Sequence, residues 1–325
     1  MKKVLVVDFA ACEGGALSVL KDYYNQVKND KNNFYYFLLN DYYFDETDNI
    51  KIIVLKKYKR RINRLYFDYI VGRKYVKHIN PNEILSLQNT IIRGTKVKQS
   101  VFIHQAIPFQ TIKNFSFFIK NEIKYAIIQH LIGKVIISSA KKADKVIVQT
   151  KWMKEAIIDK CGIKPEKVEI HFPEVKIGKI KSIKKEKDNV IHFFYPTSDD
   201  LYKNNEIIFD CVNQLITDGI TNFVVEMTIN GESSKYIKKI GRISREDVIS
   251  RYYDSILLFP SYIETLGLPL LEAKLCNSTI IASNTAFSHE LLNNYNKASF
   301  FNPFSVDELK RVMIKQIKNE GEKNI

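Results

Sequence analysis

The chain has 325 residues, 45% hydrophobic and 26% charged, with 50 Lys+Arg against 36 Asp+Glu and a net charge of +14. That length suits two domains, and that composition excludes wholesale disorder or a fibrous protein. Four cysteines, Cys12, Cys161, Cys211 and Cys276, lie far apart with no CxxC, which argues against a disulfide framework or zinc ribbon and suits a reducing cytosol.

Val4–Val7 reads as a buried first strand rather than a leader, because Asp8 interrupts the apolar run early. A Gly14-Gly15 turn and a helix over Ala16–Val27 follow. Tyr35–Leu39, Ile52–Leu55, Glu83–Leu87, Ser100–His104, Lys145–Val148 and Lys167–His171 read as strands, and Ile119–Ala140 and Lys151–Lys160 carry helical spacing. The lysine-rich stretch Pro173–Asp188 has no sustained apolar period and reads as a linker, with a solvated hairpin as the alternative. Beyond it come a strand at Val190–Tyr195, a helix at Asn204–Ile216, and strands at Phe223–Thr228 and Tyr236–Ile240. A helix at Ser244–Tyr252, a strand at Ile256–Phe259, a helix at Pro269–Cys276, a strand at Thr279–Ala282 and a helix at Val306–Lys318 complete the series. Strands alternating with helices imply α/β halves with parallel sheets covered on both faces, and such sheets bind ligands at their carboxyl ends. The expected boundaries are 1–173, a linker at 174–189, a second domain at 190–305, and a C-terminal helix at 306–325.

Charge separates the halves. Residues 1–180 hold 32 Lys+Arg and 17 Asp+Glu, a net +15, whereas residues 181–325 are nearly neutral. Two halves of different charge suit different partners: a basic surface attracts nucleic acid, anionic lipid or phosphorylated substrate.

Residues 260–272 read Pro-Ser-Tyr-Ile-Glu-Thr-Leu-Gly-Leu-Pro-Leu-Leu-Glu. A buried strand runs into a loop, and Pro269 suits the first helical turn, where a missing N–H costs nothing. The free N–H groups of that turn and the helix dipole favour a diphosphate, and Gly267 lets backbone approach it. Glu264 before this cradle and Glu272 inside the helix can accept hydrogen bonds from sugar hydroxyls on either side of it. That suits a nucleotide sugar, with Glu272 on the ribose and Glu264 on the transferred sugar.

Pro260-Ser261, Glu264, Gly267 and the spacing to Glu272 resemble retaining GT-B glycosyltransferases of the glycogen-synthase-like group, glycosyltransferase family 4, in its bacterial surface-polysaccharide branch. Ile240-Gly241-Arg242, Tyr252-Tyr253-Asp254, Ile281-Ala282-Ser283 and His289-Glu290 fit the flanks, and Glu13-Gly14-Gly15-Ala16 is similar to the family's first glycine-rich turn. The resemblance implies two Rossmann-like domains with a cleft between them, and a final helix that crosses back to the first domain. It implies transfer of a sugar from a nucleotide-diphosphate donor to an acceptor hydroxyl with retention of configuration, in capsule, O-antigen or exopolysaccharide synthesis. It assigns Thr265 and Leu266, beside Gly267, to the donor. Lys203 matches the family's diphosphate lysine. The partner arginine is missing, with Pro196 or Thr197 in its place, so Thr197 and Ser198 hydroxyls become candidate substitutes. Gly14, Gly15 and Gln105 are expected to face the cleft, and His104, at a strand end, to lie close to the transferred sugar. A core histidine is the plain alternative there, as a solvated surface residue is for Lys203.

No Asp-x-Asp, HExxH, GxSxG or Walker A pattern occurs, so metal-dependent, serine-hydrolase and P-loop readings lack an anchor. No cofactor is expected beyond the donor substrate. In the basic stretch Lys56–Ile70, the residues Ile62, Leu65, Tyr66 and Tyr69 share helical spacing with Lys59, Arg60, Arg61 and Arg64 on other faces. That suits an anionic membrane surface at about 1 kcal/mol per cation, against an ordinary helix with a solvated face. No recognition motif supports nucleic acid. The expected enzyme is cytoplasmic, peripheral on the inner face of the cytoplasmic membrane, with a polyprenyl-linked saccharide as acceptor. A nucleotide-sugar epimerase of the same fold, or a non-catalytic nucleotide-sugar or nucleic-acid-binding protein, is the alternative.

Overall fold

The computed structural model describes residues 1–12, 14–175, 177–178 and 190–323. Glu13 of the first turn and most of the expected linker lie outside the described residues. The chain divides into two compact units, Met1–Phe172 and Pro173–Ile325.

The first unit is built on seven parallel strands: β1 (Lys2–Asp8), β2 (Asn33–Leu39), β3 (Ile50–Val54), β4 (Glu83–Ser86), β5 (Lys98–Phe102), β6 (Lys145–Val148) and β7 (Val168–Ile170), in the order β3-β2-β1-β4-β5-β6-β7. β1 is buried from Val4 onward, as a parallel sheet covered on both faces requires. Its side chains alternate between two cores: Val4 and Val6 pack with Leu20 and Val27 on one face, Leu5 and Val7 with Phe67, Val76 and Ile79 on the other. Leu20 and Val27 belong to α1 (Gly14–Val27).

The second face is covered by α2 (Arg61–Tyr66), a π-helical turn at Phe67–Val71 and α3 (Gly72–Ile79). The expected single helix at 119–140 starts later, as α4 (Ile123–Ala126), a π-helical segment (Ile127–Ile132) and α5 (Gly133–Lys142). The turn before it is held by Glu122, which accepts from Ser116 N at 2.8 Å and pairs with Lys113 at 2.8 Å. Both π segments end on a tightly packed glycine. A Cβ on Gly72 would sit 2.9 Å from Ile92, and one on Gly133 3.0 Å from Pro108. Hydrophobic periodicity carries no signal for such a phase shift. α6 (Lys151–Cys161) completes the unit.

The second unit has six parallel strands, β8 (Ile191–Tyr195), β9 (Phe223–Met227), β10 (Ile237–Lys239), β11 (Ile256–Phe259), β12 (Ile280–Ser283) and β13 (Ala298–Phe301), in the order β10-β9-β8-β11-β12-β13. Its helices are α7 (Asn205–Thr217), α8 (Arg245–Asp254), α9 (Leu268–Leu275), α10 (Ala286–Leu291) and α11 (Val306–Lys323). Periodicity does not anticipate α10 or β13, which at six and four residues are too short to show a period. α11 packs on α7, β8 and β13, with Met313 Sδ 3.6 Å from Cys211 Sγ. Among the described residues, no helix is long and apolar enough to cross a membrane.

Candidate active site

In each sheet the chain leaves its central strand in opposite directions, so the neighbours β1/β4 and β8/β11 form topological switch points. Open parallel sheets bind ligands at the carboxyl ends of strands there. In the second unit, the loops after β8 and β11 meet at that point. β8 leads into a 3-10 turn at Leu201–Lys203, closed by Asn204 in the left-handed region at φ 61°, a conformation asparagine tolerates. Tyr195 Oη donates to Lys203 O at 2.8 Å, and Asn204 Nδ2 to Pro303 O at 2.7 Å. Tyr262 N, in the loop after β11, donates to Tyr202 O at 3.0 Å.

This stitching brings together two residues 61 positions apart. Lys203 Nζ lies 2.6 Å from Glu264 Oε1, and the side chains are 18% and 16% exposed. Ser261 Oγ donates to the same oxygen at 2.8 Å, and Ser261 O accepts a short bond from Ser283 Oγ in β12. The result is an anchored cation and a carboxylate, both still open to solvent on one side.

Three residues past Glu264, Gly267 caps α9 with φ 77°, where a side chain would be strained. Pro269 falls in the first turn of α9. Leu266 is buried, so it can offer a ligand only backbone, while Thr265 is half-buried. One turn into α9, Glu272 is buried and its Oε1 accepts from Arg245 Nη2 at 2.9 Å. Burial pushes the Glu272 carboxyl up, against the opposing pull of Arg245 and the Tyr252 hydroxyl. Arg245 opens α8 behind its N-cap Ser244. Sequence reasoning missed it, since a cation after a cap reads as an ordinary surface residue.

The other expected donor groups are engaged within the protein. Thr197 N donates to Thr228 Oγ1 at 2.7 Å, and Thr197 Oγ1 to Asn205 Oδ1 at 2.9 Å. Ser198 Oγ donates to Asp200 Oδ2 at 3.3 Å. In the first unit, Gly14 sits at φ 63°, and neither it nor Gly15 has any atom within 4 Å of a built Cβ. Only Gly14 therefore needs glycine, for its backbone.

His104 lies beyond β5 with its ring held by Asn89. Asn89 Oδ1 accepts from His104 N at 2.7 Å, and Asn89 Nδ2 approaches His104 Nε2 at 3.2 Å. With the amide as donor, Nε2 accepts and the proton sits on Nδ1, which is enclosed with no partner among the described residues. Burial, with help from Arg64, pulls His104 down to about 4, so it is neutral at pH 7. Lys59, Arg60 and Arg61 are exposed, but Arg64 is not on their solvated face. It turns inward beneath Phe9 O, at 3.4 Å from Nη1, because α2 places it over two buried carboxylates, Asp8 and Asp68, whose charge acts on it.

Those two carboxylates, unused by the sequence argument, predict a pH effect. Asp8 Oδ1 accepts from Ala10 N and Ala11 N at 2.9 and 3.0 Å. Asp68 accepts from Gln88 Nε2 at 3.0 Å and Thr90 Oγ1 at 2.6 Å. Burial nonetheless pushes both up to about 7. An unfolded carboxylate titrates near about 3.9, so the folded chain holds these protons more tightly. Their contribution is complete below about pH 4 and is lost as pH rises through about 7. His104 works in the opposite sense, its contribution being present above about 6.5 and lost as pH falls towards 4. Urea midpoints from pH 6.5 to 8 are therefore expected to decline in the parent and to decline less steeply in Asp68→Asn, which keeps only Asp8 titrating there. Parallel curves would remove the assignment.

Residues 224–324, within the second unit, match the family model for Glycosyl transferases group 1. The O-antigen chain mannosyltransferase RfbU of Salmonella typhimurium is 23% identical over 251 residues, 74% of this chain and 66% of that protein, just short of two thirds of its length. The glycosyltransferase WaaG, involved in lipopolysaccharide biosynthesis, superposes with a TM-score of 0.69 at 13% identity over 97% of this chain and 90% of that one. HepE of Anabaena, solved in complex with UDP-glucose, gives a TM-score of 0.66 at 14% identity over 98% and 91%. The fold is GT-B, with two Rossmann-like units of parallel strands.

Proposed function

We propose that this chain, whose second unit matches the family model for group 1 glycosyl transferases, moves a sugar from a nucleotide-diphosphate donor to a saccharide hydroxyl with retention of configuration, in surface-polysaccharide synthesis. The observation that carries this reading is the Lys203–Glu264–Ser261 cluster at the β8/β11 switch point, 2.6 Å between cation and carboxylate. Lys203 and the backbone N–H of Leu268, the first residue of α9, face the negative charge that grows on the leaving diphosphate. Fixed groups aimed at developing charge give the largest share of many rate enhancements. Glu264 accepts from hydroxyls of the transferred sugar, and Glu272 from the ribose. Thr197, bonded to Thr228 and Asn205, shapes the loop rather than replacing the absent arginine. The relatives' names support the same chemistry, an O-antigen mannosyltransferase in one case and a UDP-glucose complex in another.

The test is donor turnover with and without a lipid-linked saccharide acceptor, screened across UDP-, GDP-, ADP- and CMP-sugars. Consumption only with acceptor, and a product anomer matching the donor by NMR, is the expected result. Turnover without acceptor would favour an epimerase, and no turnover a binding protein. Because Lys203 supplies the cation at the diphosphate, neither metal nor cofactor is needed, and transfer is expected to survive excess EDTA; a strict Mg²⁺ or Mn²⁺ requirement would overturn that part.

The first unit is proposed to meet the inner face of the cytoplasmic membrane, where a polyprenyl-linked acceptor would be found. Ile62 is 80% and Phe118 99% exposed, and Lys59, Arg60 and Arg61 lie beside the first of them. Exposed apolar residues among cations suit an anionic interface. Sedimentation with anionic liposomes is expected to fall when Lys59, Arg60 and Ile62 are replaced by serine, and unchanged sedimentation would remove the membrane contact.

A further inference from the structure

We propose that the first unit contains an oxyanion-binding pocket formed by Arg61, Arg64 and Gln105, which takes a phosphate or carboxylate group of the acceptor. That the ligand is the acceptor rests on the reading above; the chemistry of the pocket does not. The cavity opens beside the β1/β4 switch point, between α2 and the helix that runs through Ile127–Ile132 into α5. Two π-helical segments, Phe67–Val71 and Ile127–Ile132, border these helices. Such segments are frequent at functional sites because they re-aim side chains at a small cost in helix geometry.

Donors without partners set the ligand's sign. Among the described residues Arg61 makes no hydrogen bond or ion pair, and Arg64 makes only two long bonds from Nη1, to Lys59 O at 3.3 Å and Phe9 O at 3.4 Å. Gln105 spends Oε1 on Ile107 N at 3.2 Å, which leaves its amide N–H₂ for a ligand. The remaining polar walls offer nothing comparable. Gln88 and Thr90 donate to Asp68, and Asn89 is occupied with His104. Ile128, Ile132 and Ile136 close the other side, and such an apolar wall strengthens any charge pairing made against it.

Asp8 and Asp68 do not use up the arginines. Each carboxylate accepts two hydrogen bonds from other groups, and among the described residues neither forms an ion pair with Arg61 or Arg64. Two guanidinium groups and an amide, converging on one cavity, match the bidentate geometry of phosphate and carboxylate. A neutral sugar would leave most of those donors unpaired.

The experiment is calorimetric titration of the intact chain at low salt with two probes, glycerol 3-phosphate for a lipid phosphate and glucuronate for an acidic sugar. Binding of either probe is expected to weaken by about tenfold or more in Arg61→Gln and Arg64→Gln, and to persist in Lys203→Gln, whose cation lies in the other unit. The probe that binds names the source of the anion. Arg61 is exposed and its replacement disturbs no packing, so Arg61→Gln decides the matter if circular dichroism shows that Arg64→Gln unfolds. No binding of either probe, binding unaffected by the arginine variants, or binding lost with Lys203→Gln would overturn the proposal. The readout is binding, so a failure of sugar transfer would not be mistaken for it.

Discussion

Lys203→Gln is expected to lower kcat for sugar transfer by about 10²–10³-fold, the loss typical of removing one preorganised donor from a developing oxyanion. Lys203 is held by its backbone as well as its charge: Tyr195 Oη bonds its carbonyl and Asn204 turns the chain directly after it. Glutamine therefore keeps the loop and removes the cation. Glu264→Gln should be as damaging for a different reason. It cannot accept from two sugar hydroxyls as a carboxylate does, and it leaves the Lys203 ammonium, 18% exposed, without its counter-charge at 2.6 Å. Because the two groups act as one unit, the double variant is expected to cost little more than either single change. Steady-state kinetics decide it. Strictly additive losses would mean the two groups act independently, and unchanged kcat in Lys203→Gln would remove its assignment.

Glu272→Ala is expected to weaken nucleotide-sugar binding by about 10–100-fold, since hydrogen bonds to a charged group contribute about 1.5–3 kcal/mol. Calorimetry with the preferred donor reads this directly. The loss is expected mainly in binding, because the ribose is bound alike before and during transfer, so kcat should fall far less than it does for Lys203→Gln. Arg245 complicates the loss in an instructive way. In the ligand-free chain it satisfies Glu272 at 2.9 Å, so a ribose must share or displace that contact. Undiminished affinity in Glu272→Ala would remove the ribose assignment.

Much of the second unit was legible because its signals are local. Directly after a buried strand, Pro-Ser, an acidic residue, a left-handed glycine and the start of a helix with proline in its first turn lie within thirteen residues. The first unit was less legible. Its helices change phase at Gly72 and Gly133 through close packing against Ile92 and Pro108, contacts that local sequence does not encode. Arg64 looked like one of four surface cations. It turns inward because α2 lies over Asp8 and Asp68, which are 60 residues apart in the chain and whose charges both act on it.

Composition, alternation and spacing by themselves determined an α/β chain of two halves, the basic charge of the first and the strand–loop–helix motif of the second. These follow from the periods of strands and helices and from the few conformations that glycine and proline favour. Only the tertiary structure decided the strand orders, the partner of each carboxylate and the side of the protein each cation serves. The physical reason is distance along the chain. Lys203 with Glu264, Arg245 with Glu272, and Arg64 with Asp8 are brought near by sheet topology, and their charges take meaning from the burial that packing alone supplies.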